Sequence, residues 1–229
     1  VIGGSPLTVG ASIGIAVGHG GGDVLLRNAD VAMYQAKAAG KRRWVLFDEE
    51  MRAAAVERLR LDADLQGVLG RDELELHYQP IVELDTGRLT GFEALLRWHH
   101  PELGLVTPDR FIPVAEENGT IIAIGAWVLR EACQAARRWQ ETRPLAAPLT
   151  MAVNVSGRQL ASDAFVRVVQ EALHDSGIDP ATLVLELTES YLMLDPDRAA
   201  ARLRGLHDLG VRLAIDDFGT GYSSLAYLR

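Results

Sequence analysis

The sequence predicts an α/β protein whose larger part is a (β/α) barrel, and three observations lead to that class. Strand-like and helix-like segments alternate from residue 74 onward, a pattern typical of a parallel sheet that is either a barrel or an open doubly wound sheet. No glycine fingerprint of the dinucleotide-binding type follows the first strand, and unusual polar residues lie toward the carboxyl ends of four strands. The missing fingerprint argues against an open sheet that binds a dinucleotide. Barrel enzymes assemble their active sites at the carboxyl ends of their strands, so the position of the polar residues also favours the barrel.

A smaller α+β unit precedes the barrel. Alternating β-branched residues predict a strand over 7–17, and residues 44–47 read as a second, short strand. Apolar residues at helical spacing over 25–36 predict a helix between them that stops at Gly40. Asp48 is a suitable N-cap for a proline-free stretch rich in Ala, Leu, Glu and Arg, which predicts a long connecting helix. The expected domains are residues 1–47, a linking helix over 48–70 and the barrel from 71 to 229.

The barrel segment begins with a predicted hairpin, whose strands over 74–82 and 89–98 flank a turn at residues 85–88. The later predicted strands are at 149–156, 183–189 and 212–217, and the predicted helices are at 108–118, 120–141, 163–176 and 196–209. A complete barrel typically needs about 250 residues. We therefore expect its last strands to lie beyond Arg229.

Composition limits the classes of function. With 229 residues, 48% of them hydrophobic and 24% charged, the chain has the balance of a globular protein, and its net charge of -8 argues against a nucleic-acid polymer as partner. The lone Cys133 excludes an internal disulfide and fits a reducing compartment. Because no apolar run reaches the roughly 18 residues of a membrane span, we expect a cytoplasmic segment without membrane contact, although a parent protein could carry an upstream sensor or membrane segment.

The candidate metal ligands are polar residues within otherwise apolar strands: Glu93, Asn154, Glu186 and Asp216. An unpaired charge there is costly, and hard oxygen donors suit Mg²⁺ or Mn²⁺ better than zinc. Asp217 adds a carboxylate, so a second ion near Asp216 and Asp217 would complete a two-metal site for displacement at phosphorus. Each residue alone also fits a salt bridge, a backbone hydrogen bond or a turn cap, but recurrence on four strands favours the metal site.

Two further side chains are candidates for substrate contact. Arg97 follows Glu93 by four residues on the same strand face, from which it could reach a metal-bound phosphate or pair with a ligand carboxylate. Gln79, before Pro80, could bond a base edge or lie at the rim.

The glycine-rich segment 219–224 predicts a loop that gates the site, and Glu189 either braces this loop or begins a helix. We expect His99 and His100 to be structural, because adjacent residues in a strand point in opposite directions and no matching ligands are apparent.

Five motifs together resemble the EAL family of cyclic di-GMP phosphodiesterases. They are Tyr78-Gln79-Pro80-Ile81, Glu93-Ala94-Leu95-Leu96-Arg97-Trp98, Asn154-Val155-Ser156, Glu186-Leu187-Thr188-Glu189-Ser190 and Asp216-Asp217-Phe218-Gly219-Thr220-Gly221-Tyr222-Ser223-Ser224. The resemblance implies a TIM-like barrel whose first strand is antiparallel to the others, and hydrolysis of cyclic di-GMP to pGpG with two Mg²⁺ or Mn²⁺ ions.

The resemblance also implies a role for each candidate residue. The implied metal ligands are Glu93, Asn154, Glu186, Asp216 and Asp217; Asp217 also serves the second ion or the water, Glu189 holds the loop, and Gln79 and Arg97 contact substrate. The family's active-site Lys, its proposed base Glu and a substrate-binding Gln are expected after Arg229, so we expect the parent protein to be active and the 229 residues alone to be inactive. The alternatives are a degenerate cyclic di-GMP receptor or interaction module, and a bifunctional cyclase and phosphodiesterase.

The N-terminal part resembles the second half of a GGDEF diguanylate cyclase domain, through Ser12-Ile13-Gly14-Ile15-Ala16 and a helix motif over residues 29–37. Gly21-Gly22-Asp23 is not the cyclase signature, because the signature hairpin precedes the Ser-Ile-Gly-Ile-Ala strand in that family. The resemblance therefore implies a tandem GGDEF-EAL protein, with a homodimer through the EAL domain as a possible assembly.

Overall fold

The computed structural model describes residues 10–19, 21–142, 148–188 and 196–216. The chain divides into two compact units, Val1–Ala63 and Asp64–Arg229.

The first unit contains a short parallel strand pair, β1 (Ile13–Ile15) and β2 (Trp44–Leu46), with helix α1 (Gly22–Ala38) between them in sequence. A Cβ at Gly14 would overlap the carbonyl oxygen of Ala29 and the amide nitrogen of Met33. Only glycine therefore allows α1 to lie this close to β1.

Helix α2 (Glu49–Leu65) spans the division between the units. The Met51 amide donates to Asp48 Oδ1 at 2.8 Å, which confirms Asp48 as the residue that caps it.

The second unit alternates strands and helices, as the sequence predicts. Its strands are β3 (Leu74–Val82), β4 (Leu89–His100), β5 (Gly104–Val106), β6 (Thr150–Val155), β7 (Leu183–Thr188) and β8 (Arg212–Asp216). Its helices are α3 (Pro108–Asn118), α4 (Ile121–Thr142), α5 (Gly157–Ala161), α6 (Phe165–Ser176) and α7 (Pro196–Asp208), with 3-10 turns at Val68–Gly70 and Pro180–Thr182.

The sheet of this unit has the strand order β3-β4-β6-β7-β8, and β5 pairs with β4. Strands β3 and β4 form an antiparallel hairpin, whereas β4, β6, β7 and β8 are mutually parallel. The expected antiparallel first strand is confirmed. The result is a mixed α/β fold in which four parallel strands bring their carboxyl ends to one edge.

One face of the sheet belongs to the hydrophobic core. Its buried strand residues are Ala94, Leu96, Trp98, Met151, Val153, Val155, Leu183, Leu185 and Leu187. Helix α4 packs against β6 and α6, and it buries apolar residues from Ile121 to Ala136 at helical spacing. Because strand side chains alternate between faces, the residues between these core positions face the other side of the sheet, where the predicted ligands lie.

Two elements are missing from the sequence prediction, because short segments give little periodic signal. Strand β5 pairs Val106 with Trp98 and Gly104 with His100, so β4 ends two residues later than predicted. Helix α5 begins with a reciprocal capping box, in which Ser156 and Gln159 each bind the other's backbone amide.

Candidate metal and substrate site

The strand register places the four predicted ligands on one sheet face. Asn154 pairs directly with Glu186, while Glu93 pairs with Ala152, two residues before Asn154. Glu186 pairs with Ala214 on β8, and Asp216 lies two residues beyond Ala214. Because paired residues share a face and the side-chain period is two, all four side chains belong to the face opposite the helix-packed core.

A hydrogen bond joins two of these residues. Asn154 Nδ2 donates to Glu93 Oε1 at 2.7 Å, across neighbouring parallel strands. Glu93 is half-buried and Asn154 is exposed. The bond fixes one carboxylate oxygen and leaves the amide oxygen of Asn154 as the atom suited to a hard cation.

Several carboxylates lie close enough together on this face to repel one another. Burial raises the pKa of Glu186, and the negative charges of Glu93 and Asp216 raise it further. A divalent cation among these side chains would offset both effects, because it favours the ionised carboxyl. The donor set and its electrostatics therefore fit Mg²⁺ or Mn²⁺.

The two candidate substrate contacts share this face. Gln79 on β3 is directly opposite Glu93 in the hairpin and is exposed. Arg97 lies four residues after Glu93 and is half-buried, and its Nη1 donates to the carbonyl oxygen of Leu96 at 2.8 Å. The sheet thus gathers an amide and a guanidinium on the side where the oxygen donors lie. Asp217, Glu189 and the segment 219–224 lie outside the described residues.

The register shows partners of His99 that the sequence interpretation missed. His99 Nε2 donates to Glu75 Oε2 at 2.6 Å, and His77 Nε2 lies 3.8 Å from the same oxygen. Among the residues that the structure describes, Glu75, His77 and His99 form the one group of three or more His, Cys, Asp or Glu side chains whose ligand atoms all lie within 4.8 Å of one another. Glu93, Glu186 and Asp216 are not gathered so tightly. Pairing the two predicted hairpin strands residue by residue is the signal that could have found this cluster.

His100 points to the other face and has a structural role. It is almost fully buried, and its Nδ1 accepts hydrogen bonds from the Glu102 and Leu103 amides at 3.1 and 3.2 Å. Since Nδ1 is an acceptor, the proton lies on Nε2, which donates to Asp64 Oδ2 at 2.9 Å.

Fold and site together define a class: mixed α/β proteins with an oxygen-rich acidic site on one face of a largely parallel sheet. The profile of the EAL domain matches residues 62–229, and the chain belongs to the EAL domain family.

Known proteins support this membership. The chain is 46% identical over 224 residues to the bifunctional diguanylate cyclase/cyclic di-GMP phosphodiesterase MucR of Pseudomonas aeruginosa, covering 96% of this chain and 32% of MucR. It is 42% identical over 231 residues to the cyclic di-GMP phosphodiesterase NbdA of the same organism, covering 99% of this chain and 29% of NbdA. The EAL domain is thus homologous to cyclic di-GMP phosphodiesterases, and the chain spans about a third of the length of these relatives.

Solved structures agree. A structure described as the PaMucR phosphodiesterase in complex with c-di-GMP superposes with a TM-score of 0.70 at 47% identity, covering 74% of this chain and 68% of that one. The EAL enzyme Bd1971 in its cAMP and cyclic-di-GMP bound form gives a TM-score of 0.69 at 31% identity, covering 90% of this chain and 52% of that one. Within the described ranges, no helix combines the length and the apolar character that crossing a bilayer requires.

Proposed function

We propose that the protein carrying this chain hydrolyses cyclic di-GMP to linear pGpG with the help of divalent cations. The observation that carries the proposal is that an EAL domain homologous to cyclic di-GMP phosphodiesterases keeps Glu93, Asn154, Glu186 and Asp216 on a single sheet face.

In this proposal, those four residues hold Mg²⁺ or Mn²⁺. When bound, two such ions supply a water of lowered pKa and charge stabilisation at the phosphoryl oxygens. Asp217 would serve the second ion or the water, and Glu189 would hold the loop that follows Asp217; both roles rest on the resemblance of their motifs.

The chain's own side chains provide orientation. The hydrogen bond from Asn154 holds Glu93 in one rotamer, which reduces the entropy lost when a ligand binds. Arg97 lies on the same face, where its fixed positive charge can pair with a phosphodiester oxygen. Gln79 stands opposite Glu93 and offers both a donor and an acceptor to a guanine edge.

We further propose that residues 1–47 are the second half of a GGDEF domain, that 48–70 link it to the EAL domain, and that the latter occupies 71–229. Support comes from the Ser12 to Ala16 and 29–37 motifs, and from MucR, which is described as bifunctional and matches over 96% of this chain. A bifunctional cyclase and phosphodiesterase is therefore the second candidate. The cytoplasmic location and the homodimer remain predictions.

The test is hydrolysis by the full-length protein that carries this chain. We expect it to convert cyclic di-GMP to pGpG with Mg²⁺ or Mn²⁺, measured by chromatography of the nucleotides, and to stop in excess EDTA. Glu93→Ala should abolish hydrolysis. Glu171→Ala, which removes an exposed carboxylate on α6, should leave it unchanged.

Two outcomes would contradict the proposal. Full activity of the Glu93→Ala protein would overturn the assignment of this ligand. Intact cyclic di-GMP in a reaction where a known EAL phosphodiesterase cleaves it would overturn the activity, and tight binding without cleavage would then favour the receptor alternative.

A further inference from the structure

The hairpin of β3 and β4 carries a second cluster of possible ligands, Glu75, His77 and His99, near the carboxyl end of β4. All three side chains are exposed, and their ligand atoms lie within 4.8 Å of one another. The EAL motifs assign no role to this cluster.

The hairpin ladder fixes the positions of the three side chains. Glu75 pairs with Arg97 and His77 pairs with Leu95, so Glu75 and His77 share the sheet face of Glu93. His99 is two residues beyond Arg97 and lies on that same face, diagonal to Glu75. The Glu75 carboxylate is between the two imidazoles, with Oε2 2.6 Å from His99 Nε2 and 3.8 Å from His77 Nε2.

The donor chemistry of the cluster differs from that of the oxygen-rich site. Two imidazoles and one carboxylate form the ligand set of catalytic zinc sites, in which water takes the fourth position. Zinc binds histidine nitrogen and carboxylate oxygen at about 2.0–2.2 Å. Because the ligand atoms already lie within 4.8 Å of one another on two paired strands, we expect side-chain rotation to bring them around one ion. Since the side chains are exposed, water can supply the remaining ligand.

A nearby positive charge lowers the affinity of this cluster for any cation. Arg97, directly opposite Glu75, is a fixed positive charge on the same face and opposes a cation. A hard, strongly hydrated ion such as Mg²⁺ gains little from imidazole, whereas zinc gains from both nitrogen ligands. The ligand set therefore favours a transition metal over the ion expected at Glu93.

We propose that Glu75, His77 and His99 form a binding site for Zn²⁺ or a chemically similar transition-metal ion, separate from the oxygen-rich site that contains Glu93. This inference does not depend on phosphodiesterase activity.

The test uses the metal-free full-length protein that carries this chain, with Zn²⁺ as the probe. We expect isothermal titration calorimetry to show zinc binding in a Glu93→Gln/Glu186→Gln background, in which the oxygen-rich site is weakened. Adding His99→Gln should lower zinc affinity by more than the roughly 10- to 100-fold typical of losing an outer-shell partner. The matched control is His174→Gln, which changes an exposed histidine on α6 and should leave affinity unaltered.

A second measurement requires no variant to fold. In NMR spectra of the unaltered full-length protein, Zn²⁺ should shift the imidazole resonances of His77 and His99 and leave those of His174 in place. Zinc binding that survives His99→Gln unchanged, or that disappears only with Glu93 and Glu186, would overturn the proposal. Imidazole resonances that do not respond to Zn²⁺ would overturn it as well.

Discussion

Asn154 on β6 donates a 2.7 Å hydrogen bond to Glu93 on β4, although 61 positions separate the two residues in the sequence. The bond ties together the first two members of the predicted ligand set before any cation binds. An amide is well suited to this position, because it provides both an N–H donor for the carboxylate and an oxygen for a metal.

Replacing the Asn154 amide with a carboxylate should show how much its hydrogen bond to Glu93 contributes to stability. We expect Asn154→Asp to lower the free energy of unfolding in EDTA by about 1–3 kcal/mol, because a carboxylate cannot donate to Glu93 and also repels it. Urea unfolding measures the change. Asn154→Ala, which removes the donor without adding charge, should cost less, and saturating Mg²⁺ should restore much of the stability of the Asp variant. Equal stabilities in EDTA would show that the bond contributes little.

Glu186 should lower the stability of the metal-free protein. Its folded-state pKa is raised, first by burial and then by Glu93 and Asp216, so the folded state retains this proton over a pH range in which the unfolded state has lost it. The protonated Glu186 therefore stabilises the folded state at low pH, and this stabilisation is lost as pH rises through the raised pKa. We expect Glu186→Gln to be more stable than the unaltered chain at pH 7 in EDTA, and to lose the stabilisation by Mg²⁺. Thermal unfolding with and without Mg²⁺ checks both effects, and a destabilised variant in EDTA would contradict the first.

Glu73 should show the opposite pH dependence. Arg71 binds its carboxylate with Nε at 2.7 Å and Nη2 at 3.1 Å, and the indole of buried Trp98 donates to it at 3.0 Å. The Arg71 hydrogen bond is the largest cause that lowers the pKa of Glu73. The stability from this ionised group is present above the unfolded-state pKa of about 4.3 and is lost as pH falls through the lowered value.

We therefore expect Glu73→Gln to cost about 1–2 kcal/mol at pH 7, because charge-assisted hydrogen bonds are lost, and to cost progressively less toward pH 3. Urea unfolding across this range measures the difference. Glu171→Gln serves as the control at an exposed helix position. A cost that does not change with pH would show that ionisation of Glu73 is unimportant.

Gly125 provides space for Gln159, which forms the capping box of α5 with the N-cap residue Ser156. A Cβ at Gly125 would overlap the side-chain amide of Gln159, which is 4% exposed and which accepts a hydrogen bond from the Ser156 amide at 3.1 Å. We expect Gly125→Ala to destabilise the fold by about 1–3 kcal/mol through overpacking. It should also weaken Mg²⁺ binding, because Ser156 follows Asn154 by two residues.

The matched control is Gly205→Ala on α7, where the new Cβ would lie 3.4 Å from Val166 Cγ2, an ordinary packing distance. It should be neutral or stabilising by up to about 1 kcal/mol, since alanine favours helix. Equal effects of the two substitutions on thermal unfolding would refute the packing argument.

Cys133 should be unreactive in the folded protein. It is fully buried in α4, and burial raises the pKa of its thiol to about 12. Since the thiolate is the reactive form, we expect negligible modification by a disulfide reagent at pH 8 in native buffer, and complete modification of one thiol in guanidinium chloride. Rapid labelling of the native chain would show that α4 opens readily.

Much of the fold follows from local pattern. Helix α3 has the predicted limits, and β3 has the predicted span, because proline, glycine and clear periodicity mark their ends. Strand β5 and helix α5 were not predicted. Their residues are ordered by partners distant in sequence or by a single capping box, neither of which a local window contains.

By itself, the sequence determined which residues are out of place in their surroundings. Glu93, Asn154, Glu186 and Asp216 interrupt apolar strands, and that chemical mismatch, with the motif order, was sufficient to predict the family; the ligand set stays a prediction.

Only the tertiary structure decided which of these side chains meet, because contact between strands depends on register. A shift of one residue would move each of these side chains to the buried face. Register brings Asn154 to Glu93 within hydrogen-bonding distance, and it gives His99 the partners Glu75 and His77, which its own sequence neighbours do not reveal.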